Sequence, residues 1–171
     1  MEIPENLETL IFNIDHFTFG VNVEEIIQVI ESAQIQQVPE MPDCVQGITN
    51  FRDKCLSVIN LTKIFRLYEW NLLSNLSQSV ESVVIVKSKM GELGIQIGQI
   101  EKIAKLPIKL IEPLPKIIQS VIRINSIWGL GLISDESCES GKIITLVHLH
   151  KLLTDEQIAT VRLFEKNLNS T

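Results

Sequence analysis

The three histidines and three cysteines are the first residues of this chain to consider as metal ligands or nucleophiles. His148 and His150 form the one close histidine pair, and an i, i+2 pair on a strand can face a single metal ion. No cysteine, aspartate or glutamate lies near them at ligand spacing. His148 also aligns with Asn60, a good helix N-cap residue, in an internal repeat. We therefore predict a polar capping or surface role for the pair and no metal site.

The cysteines, glycines and serines give no enzyme motif either. Cys44, Cys55 and Cys138 have no CxxC spacing, which is typical of a reduced cytosolic protein. The stretch from Gly91 to Gly98 has the glycine content of a phosphate-binding loop, but it alternates like a strand and no helix follows it. No hydrolase elbow, zinc-protease motif or P-loop is present in the sequence. We expect no catalytic residue and no cofactor. An enzyme or small-ligand-binding protein without a recognisable motif is the alternative.

Arg52 is the most informative charged residue. It lies in the segment Asn50-Phe-Arg-Asp-Lys54, at the tip of a predicted hairpin between two apolar strands. One interpretation is an ordinary solvated charge in a turn. The other is a guanidinium positioned at a protein-binding surface, where arginine is enriched.

The composition indicates which elements must position these residues. The chain has 171 residues, of which 45% are hydrophobic but only 5% aromatic, so Ile, Leu and Val dominate the apolar content. Such aliphatic richness is typical of many short, half-buried strands. Near the end of the chain, Thr154-Asp-Glu-Gln157 has the form of a capping box. The helix that it opens should bury the face carrying Ile158, Val161, Phe164 and Leu168.

The same composition excludes several classes of protein. A net charge of −6 and a pI near 5.1, with few aromatic residues, argue against nucleic-acid binding as the function. No apolar run reaches the roughly 18–20 residues of a membrane-spanning helix. The N-terminal residues lack the basic and apolar regions of a signal peptide. We expect a cytoplasmic protein with no nucleic-acid partner and no direct membrane insertion.

An internal repeat relates the two halves of the chain. Residues 55–65 align with residues 143–153 without a gap, and the class of side chain is kept at nearly every position. Each copy follows a strand that begins with a glycine, Gly47 or Gly129. A unit of strand, turn, strand and short helix, used twice, predicts two similar small barrels.

Two segments resemble the CheW-like domain family. Residues 19–29, Phe-Gly-Val-Asn-Val-Glu-Glu-Ile-Ile-Gln-Val, are similar to the opening of that domain. Residues 38–61 carry the more specific match, with Val-Pro-x-x-Pro followed by Gly-Ile-Thr-Asn-Phe-Arg-Asp and Ser-Val-Ile-Asn-Leu. The resemblance extends from about residue 7 to about residue 168.

The resemblance implies a mainly β fold of two five-stranded SH3-like barrels packed together, with short helices and a C-terminal helix. It predicts one domain over 7–168, with a boundary loop between the two barrels near 69–80 and flexible termini at 1–6 and 169–171. It further implies a non-catalytic adaptor that couples a methyl-accepting chemoreceptor, or a photoreceptor of that type, to a CheA-type histidine kinase. Membrane-associated receptor arrays controlling chemotaxis, phototaxis or pilus-driven motility would be its setting.

Family binding positions can be carried onto this chain only where the motifs match. The predicted kinase- and receptor-binding residues are Ile26, Gln28, Gly47, Asn50, Arg52, Asp53, Gly94 and Gly129. The departures from the family pattern include Gln28, which replaces a glutamate, Asp53, which replaces a glycine, and Asn60, which replaces an aspartate. In the family the glutamate can form an ion pair with the arginine. In this chain Gln28 is neutral, so it could form only a hydrogen bond with Arg52, if the two side chains meet. These changes predict a divergent branch with its own kinase and receptor.

Overall fold

The computed structural model describes residues 2–14, 17–65, 82–89, 91–114, 126–135 and 138–169. The strands are β1 (Asn6–Ile14), β2 (Phe17–Asn22), β3 (Ile26–Ile30), β4 (Val45–Phe51), β5 (Lys54–Asn60), β6 (Ser82–Ser88), β7 (Gly91–Ile97), β8 (Gln99–Pro107), β9 (Glu112–Pro113), β10 (Ile127–Asp135) and β11 (Cys138–Val147). The α-helices are α1 (Leu61–Ile64) and α2 (Asp155–Asn169), and single 3₁₀ turns span Val23–Glu25, Ile108–Leu110 and Leu149–Lys151. Within these ranges, neither helix combines the length and the apolar character needed to cross a membrane.

The strands form two sheets, which confirms the predicted mainly β class. Sheet 1 has the order β8-β1-β2-β11-β10-β9, and sheet 2 has the order β3-β6-β7-β5-β4. Sheet 2 has the five strands expected, whereas the short β9 brings sheet 1 to six among the described residues. The predicted boundary loop at 69–80 lies outside the described residues. Because β5 and β6, on either side of it, both belong to sheet 2, the chain changes sheets between β2 and β3 and again between β7 and β8.

Strands in both sheets are buried on both faces. In β1, Leu10 and Phe12 join the largest core, which draws residues from both sheets, whereas Ile11 between them joins a smaller core with strands of sheet 1. In β6, Val84 joins the shared core and Ile85 joins a core within sheet 2. Since successive residues of a strand point to opposite faces, both residue parities must be apolar here. Two-sided burial therefore accounts for the aliphatic runs in the sequence.

The register of the sheets confirms the internal repeat. Val58 in β5 and Leu146 in β11 are equivalent in the sequence repeat. Each lies on a strand that pairs antiparallel with the strand before it and parallel with a third strand. Each also has a glycine opposite it on both sides. These glycines are Gly47 and Gly94 beside Val58, and Gly129 and Gly20 beside Leu146.

Helix α2 begins at the predicted capping box. The Thr154 hydroxyl accepts a hydrogen bond of 3.1 Å from the Gln157 N–H, and the Gln157 side chain accepts one of 2.9 Å from the Thr154 N–H. Ile158 and Val161 are buried in the shared core, and Phe164 packs against it. The predicted apolar face of the helix is therefore confirmed at these positions.

A strip of α2 next to its apolar face completes sheet 2 with polar side chains. β5 pairs with β7 only from Val58 onward. Ahead of that point, the backbone N–H groups of Ser57 and Cys55 donate to the Glu165 carboxylate at 2.8 Å and to the Asn169 amide oxygen at 3.1 Å. Arg162 reaches the other strand, donating to the carbonyl of Glu92 in β7 at 2.9 Å. The helix thus fills the gap where β5 and β7 separate.

Candidate protein-binding surface

The turn between β4 and β5 fixes the predicted binding hairpin. Phe51 pairs with Lys54, so Arg52 and Asp53 are the two turn residues. Their φ angles are 50° and 63°, which place both in the left-handed region. A two-residue turn with positive φ at both positions is the type I′ geometry that matches the twist of a hairpin. The local structure therefore sets the direction in which Arg52 leaves the sheet.

The Arg52 side chain is held from two sides and still faces solvent. Its guanidinium lies 4.9 Å from the centre of the Phe51 ring. One guanidinium nitrogen lies 3.8 Å from a carboxylate oxygen of Glu92 on β7, and 65% of the Arg52 side chain is exposed. Among the described residues, Arg52 makes no hydrogen bond to Gln28, which lies on β3 at the opposite edge of sheet 2 from β4. The hydrogen bond predicted in case Gln28 and Arg52 meet is therefore not formed, and Arg52 lies beside Glu92 instead.

The predicted glycines are buried and act through close packing. A side chain at Gly47 would place its Cβ atom 2.6 Å from Ile35 Cγ2 and 2.7 Å from the carbonyl oxygen of Gln36. These contacts are too short, and the second is with backbone, so the segment before β4 would have to move. A Gly47→Arg variant, which the family resemblance alone predicts to bind its partners poorly with the fold intact, would therefore report on folding and not on binding.

The structure brings some predicted residues together and separates others. Asn50, Arg52 and Asp53 are exposed on one hairpin. Gly47 and Gly94 lie on the two strands that flank β5, each paired with the same β5 residue. The remaining three lie apart from this group: Ile26 and Gln28 on β3 at the far edge of sheet 2, and Gly129 on β10 in sheet 1. The hairpin is therefore the compact part of the predicted site.

A cluster that sequence reasoning missed lies beside the β2–β3 crossing. Glu25 contacts His150 through a carboxylate oxygen and Nδ1, and the same oxygen lies 3.5 Å from Nδ1 of His148. The His148 ring stacks on Trp128, with 5.3 Å between ring centroids. Burial is the largest influence on the pKa of His148 and lowers it below its ordinary value, although Glu25 opposes this effect.

The geometry corrects the expectation for the histidine pair. His148 occupies the N-cap position of the turn Leu149–Lys151, but in the described part of the chain its side chain makes no capping hydrogen bond. The pair faces a carboxylate instead. Glu25 is 125 residues from His150 in sequence, so spacing alone could not have revealed it.

A concave site elsewhere bears on the alternative of a small-ligand-binding protein. It has a volume of about 510 Å³ and is lined by residues 3–6 and 107–109. Its ionisable groups are Glu5 and Lys109. A ligand site usually combines an apolar cavity with convergent polar groups. One acid and one base on a lining of this kind provide no constellation for catalysis.

A search against protein-family models matches residues 8–157 to the CheW-like domain. The chain belongs to the CheW-like domain family. The match to this CheW-like domain extends from β1 into the first turn of α2, so it includes strands of both sheets.

Curated relatives and a solved structure agree with this assignment. The chain is 21% identical to the chemotaxis protein CheW of Treponema pallidum over 90% of its own length and 86% of that protein's. It is 24% identical to the chemotaxis protein CheW of Klebsiella aerogenes, with the same coverage of each chain. The crystal structure of the scaffolding protein TtCheW from Thermoanaerobacter tengcongensis superposes with a TM-score of 0.69, at 22% identity over 86% of this chain and 92% of that one. This CheW-like domain therefore has the fold of that scaffold protein.

Proposed function

We propose that this chain is a non-catalytic adaptor that couples a methyl-accepting chemoreceptor to a CheA-type histidine kinase. The observation that carries the proposal is the match of residues 8–157 to the CheW-like domain. Relatives of similar length that are named chemotaxis protein CheW support it. The adaptor would work in the cytoplasm, at receptor arrays that control chemotaxis, phototaxis or pilus-driven motility.

The hairpin that carries Asn50, Arg52 and Asp53 is the proposed contact with the regulatory domain of the kinase. Arg52 is exposed, and its neighbours Phe51 and Glu92 restrict where its charge can lie. A charged group at the rim of an interface acts mainly on partner choice and on the rate of association. Asp53, where the family has glycine, would then help this adaptor to select its own kinase.

Exposed aliphatic side chains offer a second kind of support for a protein partner. Leu132 on β10 and Ile143 on β11 lie directly opposite one another, and both are more than half exposed. The free energy gained by removing apolar surface from water is roughly 25 cal/mol per Å². A receptor or kinase surface laid over this pair would gain stability by covering it.

The test is a binding and activity assay with purified components. The chain would be mixed with the regulatory domain of the cognate kinase and with the cytoplasmic fragment of the receptor, and the affinities and the rate of kinase autophosphorylation would be measured. We expect specific binding to both and receptor-dependent control of the kinase. Absence of binding to either partner, or a specific organic small molecule that binds the chain and raises its melting temperature, would contradict the adaptor proposal.

A matched pair of variants tests the site. We expect Arg52→Ala to weaken kinase binding by about tenfold, which corresponds to about 1.4 kcal/mol. Lys105→Ala removes another exposed cation, from β8 in sheet 1, and should bind like the unmodified chain. Equal affinity of the two variants would reject the hairpin as the contact while leaving the adaptor function itself intact. The other predicted positions, Ile26, Gln28 and Gly129, can be tested in the same way.

A further inference from the structure

Three side chains from distant parts of the sequence meet at one point. Glu25 ends the 3₁₀ turn Val23–Glu25, and that turn is fixed by Asn22, whose side-chain oxygen accepts a hydrogen bond of 3.0 Å from the Glu24 N–H. His148 and His150 follow β11. One ligand atom from each of Glu25, His148 and His150 lies within 4.8 Å of the others.

One separation within this cluster suits a small metal ion, whereas Glu25 and His150 are in a direct hydrogen-bonding contact that an ion would have to open. Zn²⁺ binds imidazole nitrogens and carboxylate oxygens at about 2.0–2.2 Å, so two ligands of a tetrahedral ion lie about 3.4 Å apart. The 3.5 Å between His148 Nδ1 and the Glu25 oxygen is close to this value. The side chains are 13% exposed for Glu25, 30% for His148 and 37% for His150, so an ion here would be partly shielded but reachable from solvent.

Two buried atoms of the cluster lack hydrogen-bond partners. The second carboxylate oxygen of Glu25 and Nδ1 of His148 make no hydrogen bond with a described residue, although the first carboxylate oxygen of Glu25 lies 3.5 Å from that Nδ1. An unsatisfied buried polar atom costs about 1–3 kcal/mol, so native proteins rarely leave two of them side by side. A cation coordinated by the carboxylate and by both Nδ1 atoms would satisfy the cluster.

We propose that Glu25, His148 and His150 form a binding site for a divalent transition-metal ion, and that Zn²⁺ fits it best. Two imidazoles and one carboxylate are a ligand set that zinc uses, and water completes a tetrahedral site with three protein ligands. Oxygen-only ligands would favour Mg²⁺ or Ca²⁺, whereas two imidazoles favour Zn²⁺, Cu²⁺ or Ni²⁺. This site is separate from the Arg52 hairpin, and it does not depend on the proposed adaptor function.

The position of the site gives it a structural role. Glu25 lies where the chain passes from sheet 1 to sheet 2, and the histidines lie between the last strand of sheet 1 and helix α2. A bound ion would therefore link the crossing between the sheets to the turn that precedes the C-terminal helix. Because only the folded chain brings the three ligands together, binding must stabilise the folded state.

The experiment uses the full chain freed of metal with a chelator. Zn²⁺ would be added while heat of binding and melting temperature are measured, and Co²⁺ would be used as a coloured probe of tetrahedral geometry. We expect one ion per chain and a melting temperature raised by about 5–10 °C at a hundredfold excess over Kd. A Trp70→Phe background would make Trp128, which stacks on His148, the single fluorescent reporter, and its emission should change at the same ion concentration.

Matched variants decide whether these residues are the ligands. Glu25→Gln and His150→Gln should each weaken Zn²⁺ binding at least about tenfold, and His148→Gln should do the same. His16→Gln and Cys55→Ser, which remove another histidine and a thiol, should bind like the unmodified chain. The proposal would be overturned if the unmodified chain showed no saturable Zn²⁺ binding. It would also be overturned if ligand variants that circular dichroism shows to be folded bound Zn²⁺ as well as the unmodified chain, or if either control variant lost binding.

Discussion

The carboxylate of Glu165 accepts a 2.8 Å hydrogen bond from the backbone N–H of Ser57, 108 residues earlier in the chain. Its other oxygen accepts a hydrogen bond of 2.5 Å from Arg162 on the same helix. Both Ser57 and Glu165 are buried. A helix side chain therefore satisfies a strand backbone group where no neighbouring strand reaches it.

Removing this carboxylate should destabilise the fold. Glu165→Ala would remove the buried acceptor of the Ser57 N–H and of one guanidinium nitrogen of Arg162, and we expect a loss of about 2–3 kcal/mol in the free energy of unfolding. Urea denaturation measures it. Glu156→Ala, at an exposed position of the same helix, is the control and should change stability by less than about 0.5 kcal/mol. Similar losses for the two variants would refute the role of Glu165.

Replacing Asp53 with glycine should stabilise the hairpin. Its φ of 63° is in the left-handed region, which glycine adopts without steric cost and a branched side chain adopts poorly. We expect Asp53→Gly to raise the free energy of unfolding by about 0.5–1 kcal/mol and Asp53→Val to lower it by about 1–2 kcal/mol. Thermal denaturation of both variants measures the difference. A stabilising Asp53→Val would show that the turn has another conformation.

Two equivalent glycines should tolerate a methyl group unequally. A Cβ atom at Gly47 would lie 2.6 Å from Ile35 and 2.7 Å from a backbone oxygen, whereas the nearest atoms to a Cβ at Gly129 would lie 3.1 Å away. We expect Gly47→Ala to cost about 1–3 kcal/mol, as overpacking does, and Gly129→Ala to cost less. Chemical denaturation of the two variants ranks them, and the reverse ranking would contradict the packing described for β4.

The ion pair between Lys142 and Glu101 should make stability depend on pH. The hydrogen bond from Lys142, then that from Asn13, lowers the pKa of Glu101 below its ordinary value. Since the folded pKa is the lower one, the stabilisation is fully present at neutral pH and is lost as pH falls below the ordinary glutamate pKa of about 4.3 and through the folded pKa. We expect Lys142→Met to cost about 0.5–1 kcal/mol at pH 7 and to cost progressively less towards pH 3.

The measurement is the free energy of unfolding of the unmodified chain and of the Lys142→Met variant as a function of pH. Lys105→Met is the control, because Lys105 is on the same strand as Glu101 but is not among the groups that shift its pKa. A difference between Lys142→Met and the unmodified chain that stays constant from pH 7 to about pH 3 would disprove the linkage.

The sequence predicted what depends on local patterns. The capping box at Thr154, the hairpin around Arg52 and the repeat between β5 and β11 all have fixed spacings, and the structure contains each of them. The contact of Glu25 with His150 and that of Glu165 with Ser57 join residues more than a hundred positions apart. Single polar residues at such separations leave no periodic signal, and only the pairing of the sheets brings them together.

The division of sheet 1 between the two ends of the sequence has a consequence for synthesis on the ribosome. The β1–β2 hairpin emerges first, but its neighbours on either side, β8 and β11, are translated only after all the described strands of sheet 2. A nascent chain would therefore carry two unpaired edges and the apolar residues Leu10, Ile11 and Phe12 while sheet 2 forms behind it. Unpaired edges of this kind attract other strands. The hairpin must stay shielded until the last third of the polypeptide arrives.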